Sequence, residues 1–360
     1  MTTGTQEPEA VVHDSEAAAA AAGLRFTHLD RPGMTRKPLQ TGWRYRDPTG
    51  KILRNRAQIA RIDALVIPPA WTDVWINPDP RGHIQATGRD AHGRKQYRYH
   101  ARWRATRDEA KFARLGAFGR ALSTIRARVG RDLQQTGLPQ EKVEATVVRL
   151  LDESLIRIGN EEYARENASF GLTTLQDGHV AVEGETLRFH FRGKSGKEHE
   201  VDVRDRRVAS IVRTLQDLPG QRLFQYRGED GALHPVTSDQ VNGYLQAAAG
   251  EAFTARDFRT WAGSVLAYRH LGALGNAGSE RERHAHILNA VDAVAARLGN
   301  TRAVCRASYV YPSLLQRYAD GTWPVPDDPA PALPKLPLLD THERRLLAYL
   351  EAEAEGAPEA

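Results

Sequence analysis

The sequence predicts an α+β fold, in which a small β-rich N-terminal domain precedes a larger, mainly α-helical domain that contains a small antiparallel sheet. Three observations predict this fold. Short apolar segments separated by turn-forming residues occupy residues 23–105, and helical periodicity prevails over residues 106–322. Strand-like segments interrupt that periodicity once, over residues 171–204. A chain of 360 residues is long enough to bury the cores of two such domains.

Both ends of the chain are expected to lie outside these domains. Residues 1–22 are acidic and rich in alanine, which is typical of a flexible tail. Six prolines between residues 324 and 337 precede DTHERRLLAYLEAEAE, so residues 323–360 are predicted to be a linker and a short acidic helix. The N-terminus lacks the basic and apolar regions of a secretory signal, and no run of about 18 apolar residues is present. We therefore expect a cytoplasmic protein without a membrane partner.

The strands of the first domain are predicted in GWRYRDPTGKIL, DVWINPDPRGHIQATGRD and KQYRYHARW, where turn formers separate short segments. Helices are predicted over residues 106–130 and 140–158, and the second of them has one apolar stripe. That stripe consists of Val143, Val147, Leu150, Leu151 and Leu155. The interruption, GLTTLQDGHVAVEGETLRFHFRGKSGKEHEVDVR, predicts four strands joined by an Asp-Gly turn and a Gly-containing turn.

Positive charge is concentrated in one part of the chain. Residues 81–131 hold 14 Lys or Arg against 3 Asp or Glu, although the net charge of the whole chain is only +5. Within this window, RGHIQATGRDAHGRKQYRYHARWRATR interleaves basic side chains with aromatic and amide groups, as a nucleic-acid-binding surface does. Basic faces also bind anionic proteins and membrane surfaces, so charge alone leaves the partner open.

Cysteine usage and loop patterns exclude several classes of site. The single cysteine, Cys305, excludes an internal disulfide, and no Cys/His cluster has the spacing of a structural zinc site. RGKSGK ends like a phosphate-binding loop, but Arg188 stands where that pattern needs glycine, and a strand follows where it needs a helix. Nucleotide binding at this turn is therefore not predicted.

The same turn holds a candidate proton donor. Lys194 and Lys197 lie in it, although the chain has only 8 lysines against 42 arginines. An ammonium group can release its proton near neutral pH when its surroundings lower its pKa, whereas guanidinium cannot. The alternative is a solvated surface lysine, which is the usual role of this residue.

Three further polar residues each allow a structural interpretation. Arg157 follows the apolar stripe and is expected in the last helical turn, where a cation stabilises the helix C-terminus. Arg259 follows a capping pattern formed by Thr254 and Asp257, which places it early in a helix, where a cation is mildly unfavourable. Asn300 is expected to act as the N-cap of the next short helix.

The segment VCRASYVYPSLLQRY contains Tyr309, Tyr311 and Tyr318. A phenol with an unperturbed pKa near 10 is a poor nucleophile unless cationic neighbours stabilise its anion. Composition and spacing do not say which of the three, if any, has such neighbours.

Several segments together resemble the type IB DNA topoisomerases, particularly their compact poxvirus-like and bacterial members. They are LIRIGNEEYARENASFGLTTL, FRGKSGKEH, RDFRTWAGS and SYVYPSLL, in that order, with GRDAHGRKQYRYH in the smaller domain. The resemblance covers residues 60–320, and an ordered set of motifs is more specific than any one of them. It implies the catalytic fold that this family shares with the tyrosine recombinases. It also implies a catalytic set of Arg157, Lys194, Arg259, Asn300 and Tyr309.

The resemblance also implies the role of each residue. Tyr309 is expected to attack a DNA phosphodiester, form a 3′-phosphotyrosyl enzyme and release a 5′-hydroxyl strand, which relaxes positive and negative supercoils. Arg157 and Arg259 are expected to bind the nonbridging oxygens, and Lys194 to protonate the 5′ oxygen. Asn300, where poxvirus and eukaryotic members have His, is expected to donate a further hydrogen bond. No cofactor, ATP or catalytic metal is expected, because one phosphodiester replaces another. Packing roles are expected for Tyr311 and Tyr318.

By the same resemblance, the partner is duplex DNA, which a monomer clamps in association with the nucleoid. The small domain is expected in the major groove. There, Gln96, Tyr97 and Tyr99 are expected to contact bases or backbone, and Arg94 and Lys95 to contact phosphates.

The residues leave two alternative functions open. A tyrosine recombinase shares much of the catalytic set but usually has His-x-x-Arg, whereas Arg256 stands at the His position here. A noncatalytic DNA-binding protein is the other alternative, although such a protein has no need for all five catalytic positions.

Overall fold

The computed structural model describes residues 16–91, 93–323 and 335–356. The chain divides into two compact units, Met1–Ala113 and Arg114–Ala360. The boundary expected near residue 105 falls inside helix Ala101–Ala113, which belongs to the first unit. Among the described residues, no helix is both long and apolar enough to cross a bilayer.

The first unit is built on a five-stranded antiparallel sheet with the strand order β2-β1-β3-β4-β5. Its strands are β1 (Met34–Pro38), β2 (Trp43–Arg46), β3 (Thr72–Ile76), β4 (Ile84–Arg89) and β5 (Lys95–Tyr99). Helix α1 (Arg56–Ala64) packs its buried Ile62 against Met34, Ile76 and their neighbours on one face of the sheet. Strand alternation explains this core in part, because β3 turns Val74 and Ile76 inward, whereas β1 contributes only Met34.

Part of the expected N-terminal tail is packed. Residues 1–15 lie outside the described residues, but residues 16–21 are helical. The side chain of Ala19 is fully buried in a cluster with Leu24 and with Trp103 from helix α2 (Ala101–Ala113). Alanine favours helix formation, and its small side chain allows the Trp103 indole to pack closely against the helix.

The second unit is mainly helical. Its helices are α3 (Leu115–Asp132), α4 (Gln140–Ser154), α5 (Glu161–Asn167), α6 (Arg206–Gln216), α7 (Ser238–Ala249), α8 (Ala255–Leu274), α9 (Glu280–Leu298), α10 (Arg302–Ser308), α11 (Pro312–Ala319) and α12 (Thr341–Gly356). The predicted start of α8 is confirmed, since the Asp257 carboxylate accepts hydrogen bonds from the amide and hydroxyl of Thr254.

The prediction that Arg157 lies in a last helical turn is wrong. Helix α4 ends at Ser154, because Leu155 adopts a left-handed conformation with φ of 59° and its amide donates to Leu151 O at 3.2 Å. The apolar stripe reaches Leu155 although the helix does not. Arg157 therefore lies beyond the helix, in the segment that leaves it.

The strand-rich interruption has three strands in place of the four expected. They form an antiparallel sheet in the order β6 (Val180–Glu183), β7 (Thr186–Arg192) and β8 (Glu198–Arg204). The segment predicted as the first strand forms the 3-10 turn Leu172–Thr174, in which the Thr174 hydroxyl bonds to the backbone of Gly171. Two more strands, β9 (Gln225–Arg227) and β10 (Leu233–Pro235), form a separate hairpin.

Helix α12 is part of the second unit's core. Leu346, Leu347 and Leu350 are buried, and the helix packs on α3 and α8. At its start, Glu343 accepts hydrogen bonds from Arg126 at 2.8 Å and from the Trp261 indole at 3.1 Å. Arg126 also binds Asp152 on α4. The acidic helix thus completes a buried ion network.

Replacing Glu343 with alanine should strongly destabilise the second unit. The change leaves Arg126 and the Trp261 indole without their shared acceptor, and breaking a buried ion pair typically costs about 3 to 5 kcal/mol. Urea unfolding measures the loss. The control is Glu351→Ala on the same helix, which removes an exposed pair with Arg120 and should cost within about 1 kcal/mol. Equal losses in the two variants would contradict the assigned network.

Candidate active site

Four of the five residues expected in the site meet at the ends of helices in the second unit. Arg157 follows α4, Asn300 follows α9, Tyr309 ends α10, and Arg259 lies near the start of α8. The chain turns sharply after α9 because Gly299 adopts a left-handed conformation with φ of 64°. Asn300 was expected to be the N-cap of the next helix, and this prediction is wrong. Thr301 takes that position, and its hydroxyl accepts from the Val304 amide at 3.3 Å.

Arg259 holds two helix ends together. Its side chain is only 5% exposed, and it donates to the backbone oxygens of Leu155 and Leu298, the latter at 2.8 Å. These oxygens lie at the C-termini of α4 and α9, where the helix dipoles are negative. Burial, followed by the nearby charge of Arg157, lowers the pKa of Arg259, although guanidinium stays charged in proteins.

Arg157 and Asn300 are hydrogen-bonded to each other, and two buried N–H donors in the site have no acceptor among the described residues. The Arg157 guanidinium donates to Oδ1 of Asn300. Nδ2 of Asn300 and Nε of Arg259 are buried and make no hydrogen bond within the described part of the chain. A buried N–H without an acceptor costs about 1 to 3 kcal/mol. The two unpaired donors therefore favour the binding of an acceptor-rich anion here.

Tyr309 lies beside Arg259. The guanidinium carbon is 5.2 Å from the centre of the phenol ring, and the tyrosine is 9% exposed. Helix α8 holds its backbone closely, since a Cβ on Gly263 would lie 2.4 Å from the Tyr309 carbonyl oxygen. Ser264 donates to that same oxygen at 3.4 Å. One helix thus positions both the phenol and its cationic neighbour.

The pKa of Tyr309 lies below its ordinary value. Burial alone would raise it, but the charge and hydrogen bond of Arg259 outweigh burial, together with the charges of Arg157 and Arg256. Burial and Glu353 instead raise the pKa of Tyr311 to about 12. Burial also raises the pKa of Tyr318, whose hydroxyl donates to Gly275 O at 2.6 Å. Of these three phenols, only Tyr309 has the cationic surroundings that a nucleophile requires.

The turn that holds Lys194 is linked to this group by His199, which packs against the preceding residue, Gly193. Lys194 lies in the exposed turn Lys194–Gly196 between β7 and β8. His199 packs against Gly193, where a Cβ would lie 2.5 Å from the imidazole, and its other side approaches Gly299. Burial, then the charges of Arg157, Lys197 and Arg259, lower the pKa of His199, so the imidazole is neutral at physiological pH.

The sequence interpretation missed two residues of the site. His199 was quoted within FRGKSGKEH, but its role depends on contact with residues 100 positions away in the chain. Arg256 was considered only for the histidine that it replaces, yet its charge helps to lower the pKa of Tyr309. Its position three residues before Arg259, one helical turn away, was the available signal.

A second candidate surface lies on the sheet of the first unit, on the face opposite Ile62. Exposure alternates along β5, so that Lys95, Tyr97 and Tyr99 share the outward side. Tyr97 and Tyr99 stack with centroids 5.9 Å apart, and the Lys95 ammonium lies 5.7 Å from the Tyr97 ring. The other two predicted DNA contacts, Arg94 and Gln96, both hydrogen-bond to Asp90.

Strand register extends this face to the other edge of the sheet. One row of paired residues runs from Tyr97 through Thr87, Trp75 and Thr35 to Arg46. We define the outer sheet face by its basic and aromatic members: Lys37, Arg44, Arg46, Trp75, Arg89, Lys95, Tyr97 and Tyr99. Four strand spacings separate its two edges by about 19 Å. The middle of the face is covered, since Thr87 is only 5% exposed and the Trp75 indole donates to Arg31 O at 3.0 Å. The three residues of this face on β1 and β2 were missed, because only pairing shows that they share a face with β5.

Comparison with known proteins gives two family matches. Residues 100–321 match the family described as "Eukaryotic DNA topoisomerase I, catalytic core", and residues 42–90 match "Bacterial DNA topoisomerase IB, N-terminal domain". DNA topoisomerase 1B of Acanthamoeba polyphaga mimivirus is 33% identical over 267 residues, covering 72% of this chain and 80% of that protein. DNA topoisomerase 1 of Mycosarcoma maydis is 23% identical over 193 residues, covering 47% of this chain but 19% of that protein.

Titration of the tyrosines should separate Tyr309 from Tyr311. A lowered pKa means that Tyr309 forms its anion at lower pH than an ordinary phenol, whereas Tyr311 ionises only at about pH 12. Ultraviolet difference absorbance of tyrosinate measures both. We expect Tyr309→Phe to remove the earliest ionisation and Tyr311→Phe to leave it in place. An unchanged early phase in Tyr309→Phe would contradict the effect of the arginines.

Proposed function

Since the chain belongs to the type IB DNA topoisomerases, which are isomerases, we propose that it relaxes positive and negative supercoils through a transient phosphotyrosyl break in one DNA strand. The observation that carries the proposal is Tyr309 beside Arg259, within a site where two buried donors find no acceptor among the described residues. A scissile phosphate supplies oxygen acceptors for these donors and a target for the phenol.

We propose that the cleavage step is divided among the five residues. The Tyr309 phenol gives its proton to water, and its oxygen forms a bond to phosphorus as the bond from phosphorus to the 5′ oxygen breaks. Arg157 and Arg259 offset the charge that builds on the nonbridging oxygens, and such donors are typically worth about 3 to 4 kcal/mol of barrier each. Asn300 donates through the Nδ2 that has no acceptor in the described residues.

Lys194 is the proposed proton donor to the leaving 5′ oxygen. Its position in an exposed turn allows it to reach DNA, and an ammonium on a flexible stem suits proton transfer. Religation reverses the step: the 5′ hydroxyl returns its proton to Lys194, attacks phosphorus and expels the Tyr309 oxygen, which regains a proton from water. Since one phosphodiester replaces another, the cycle needs no energy from ATP.

We further propose that the outer sheet face binds the duplex, and that the chain acts as a monomer associated with the nucleoid. Basic residues stand at both edges of this face, with stacked aromatic rings at one of them. Cations of this kind neutralise phosphates, and stacked tyrosines offer hydroxyls and ring surfaces to the groove.

Relaxation of plasmid DNA tests the reaction. With EDTA present and ATP absent, the wild-type protein should relax both negatively and positively supercoiled plasmid and leave a covalent adduct when denatured. Tyr309→Phe should bind DNA but form no adduct, because its ring has no attacking oxygen.

Tyr311→Phe is the control and should still form the adduct and relax plasmid. Adduct formation by Tyr309→Phe would overturn the assignment of the nucleophile. DNA binding without relaxation by the wild-type protein would favour a recombinase or a noncatalytic binding protein.

The outer sheet face predicts a change in the salt dependence of binding. Each lost phosphate contact should reduce the slope of log Kobs against log salt by about 0.9. We expect this for Arg44→Ala and Lys95→Ala, which lie at opposite edges of the face. The control is Arg56→Ala, which is exposed at the start of α1 on the other side of the sheet. If Arg44→Ala behaves like Arg56→Ala, DNA does not reach the β1–β2 edge.

A further inference from the structure

Helix α12 lies beyond residues 100–321, the part of the chain that matches the catalytic core family, yet it contacts the elements that hold the candidate active site. In its first turn, Glu343 accepts a hydrogen bond from the indole of Trp261. Trp261 lies two residues after Arg259 on α8. The last turn of α12 reaches the segment that follows Tyr309. This second contact gathers several side chains around one carboxylate.

Glu353 is the acceptor at the centre of that contact. Its Oε1 accepts hydrogen bonds from the Ser313 hydroxyl and from the Tyr349 hydroxyl, the latter at 3.1 Å. The hydroxyl oxygens of Ser313 and Tyr349 lie 2.8 Å apart, and Arg317 Nε lies 3.4 Å from the same carboxylate oxygen. The Tyr311 phenol also hydrogen-bonds to Glu353. The carboxylate side chain is only 19% exposed.

The partners of Glu353 are concentrated in one stretch of chain. Tyr311, Ser313 and Arg317 lie at the N-cap, at the second position and in the last turn of α11, which begins three residues after Tyr309. A single carboxylate therefore has partners at both ends of α11, in addition to the buried Leu314, Leu315 and Tyr318 that pack the helix. Because burial and Glu353 raise the pKa of Tyr311 to about 12, its phenol remains a protonated donor throughout the physiological range.

On the C-terminal side of Tyr309, the Val310 amide donates to Cys305 O at 3.1 Å and the Val310 side chain is fully buried. Ser264 donates to the Tyr309 carbonyl oxygen at 3.4 Å and accepts from the Tyr311 amide at 3.0 Å. The Tyr309 phenol contacts Arg259. A shift of α11 away from Glu353 would be transmitted through two residues, Val310 and Tyr311, to the nucleophile.

We propose that Glu353 is a positioning residue, through which the C-terminal helix α12 fixes α11 and so places the Tyr309 oxygen for attack on phosphorus. This inference rests on the proposed function, in that it requires Tyr309 to be the nucleophile. Glu353 itself lies outside the reacting group and transfers no proton.

Positioning by Glu353 has a distinct kinetic signature. Before cleavage, the tyrosine is held only by the protein, so loosening α11 lowers the fraction of time in which the oxygen is in place. In the covalent adduct, the bond to DNA holds the tyrosine, so the loss affects religation less. The equilibrium fraction of adduct must therefore fall. A protein that is merely partly unfolded would instead show fewer active molecules with unchanged rate constants.

The test compares Glu353→Ala, Glu353→Gln and Glu351→Gln in the full chain, with supercoiled plasmid as substrate. Denaturant-trapped adduct gives the cleavage rate under enzyme excess and the equilibrium fraction. A jump to high salt prevents rebinding, so the decay of adduct then gives the religation rate. Thermal unfolding and DNA affinity are measured alongside.

We expect Glu353→Ala to slow cleavage by about tenfold to a hundredfold, with religation less affected and DNA affinity unchanged. Glu353→Gln keeps an oxygen acceptor and should recover part of the rate. Glu351→Gln alters a carboxylate on the same helix that pairs with Arg120, and it should match the wild type. Ser313→Ala removes one partner of the carboxylate and should lower the adduct fraction in the same direction.

Two different failures are distinguishable. If the wild type forms an adduct through Tyr309 but Glu353→Ala has wild-type rates and adduct fraction, the positioning role is overturned and the proposed function stands. Equal slowing of cleavage and religation also overturns it. If the wild type forms no adduct, or Tyr309→Phe still forms one, the proposed function has failed first.

Discussion

The geometry of the second unit's site depends on the buried guanidinium of Arg259. It donates to the carbonyl oxygens of Leu155 and Leu298, and Arg157 and Asn300 each lie two residues beyond one of those oxygens. Burying a cation is costly unless its donors are satisfied, and the unsatisfied carbonyls at helix C-termini are suited to that task. The same guanidinium lies beside the Tyr309 ring. One side chain therefore fixes the relative positions of three others.

This arrangement leaves a site that is electrostatically incomplete. Three arginines supply positive charge around Tyr309, and the neutral His199 adds none. Two buried N–H donors there have no hydrogen-bond acceptor within the described residues. A bound anion would offset the repulsion between Arg157 and Arg259 and would accept hydrogen bonds from these N–H groups. In the proposed reaction, the phenol that attacks this anion has its pKa lowered by the same arginines that bind it. The proposal therefore gives substrate binding and activation of the nucleophile a common electrostatic origin.

The C-terminal helix adds a second layer of constraint from outside the matched catalytic core. Glu343 joins α12 to Arg126 and Trp261, while Glu353 joins it to α11. Both glutamates are largely buried and are surrounded by donors from distant parts of the chain. An acidic terminal helix is ordinarily read as a solvated appendage. Here its carboxylates complete networks that the preceding helices leave open.

Local patterns in the sequence determined much of this protein. The resemblance of its ordered motifs to the type IB topoisomerases gave Arg157, Lys194, Arg259, Asn300 and Tyr309 as candidates. The Thr254–Asp257 pair located the start of α8, because capping depends on neighbouring residues alone. Tertiary structure decided what local patterns could not. The end of α4 at Ser154, the pairing that brings Arg46 onto the face of Tyr97, and the packing of α12 all depend on distant contacts. Arg259 and Leu155 are 104 residues apart, and no local periodicity encodes a hydrogen bond over that separation.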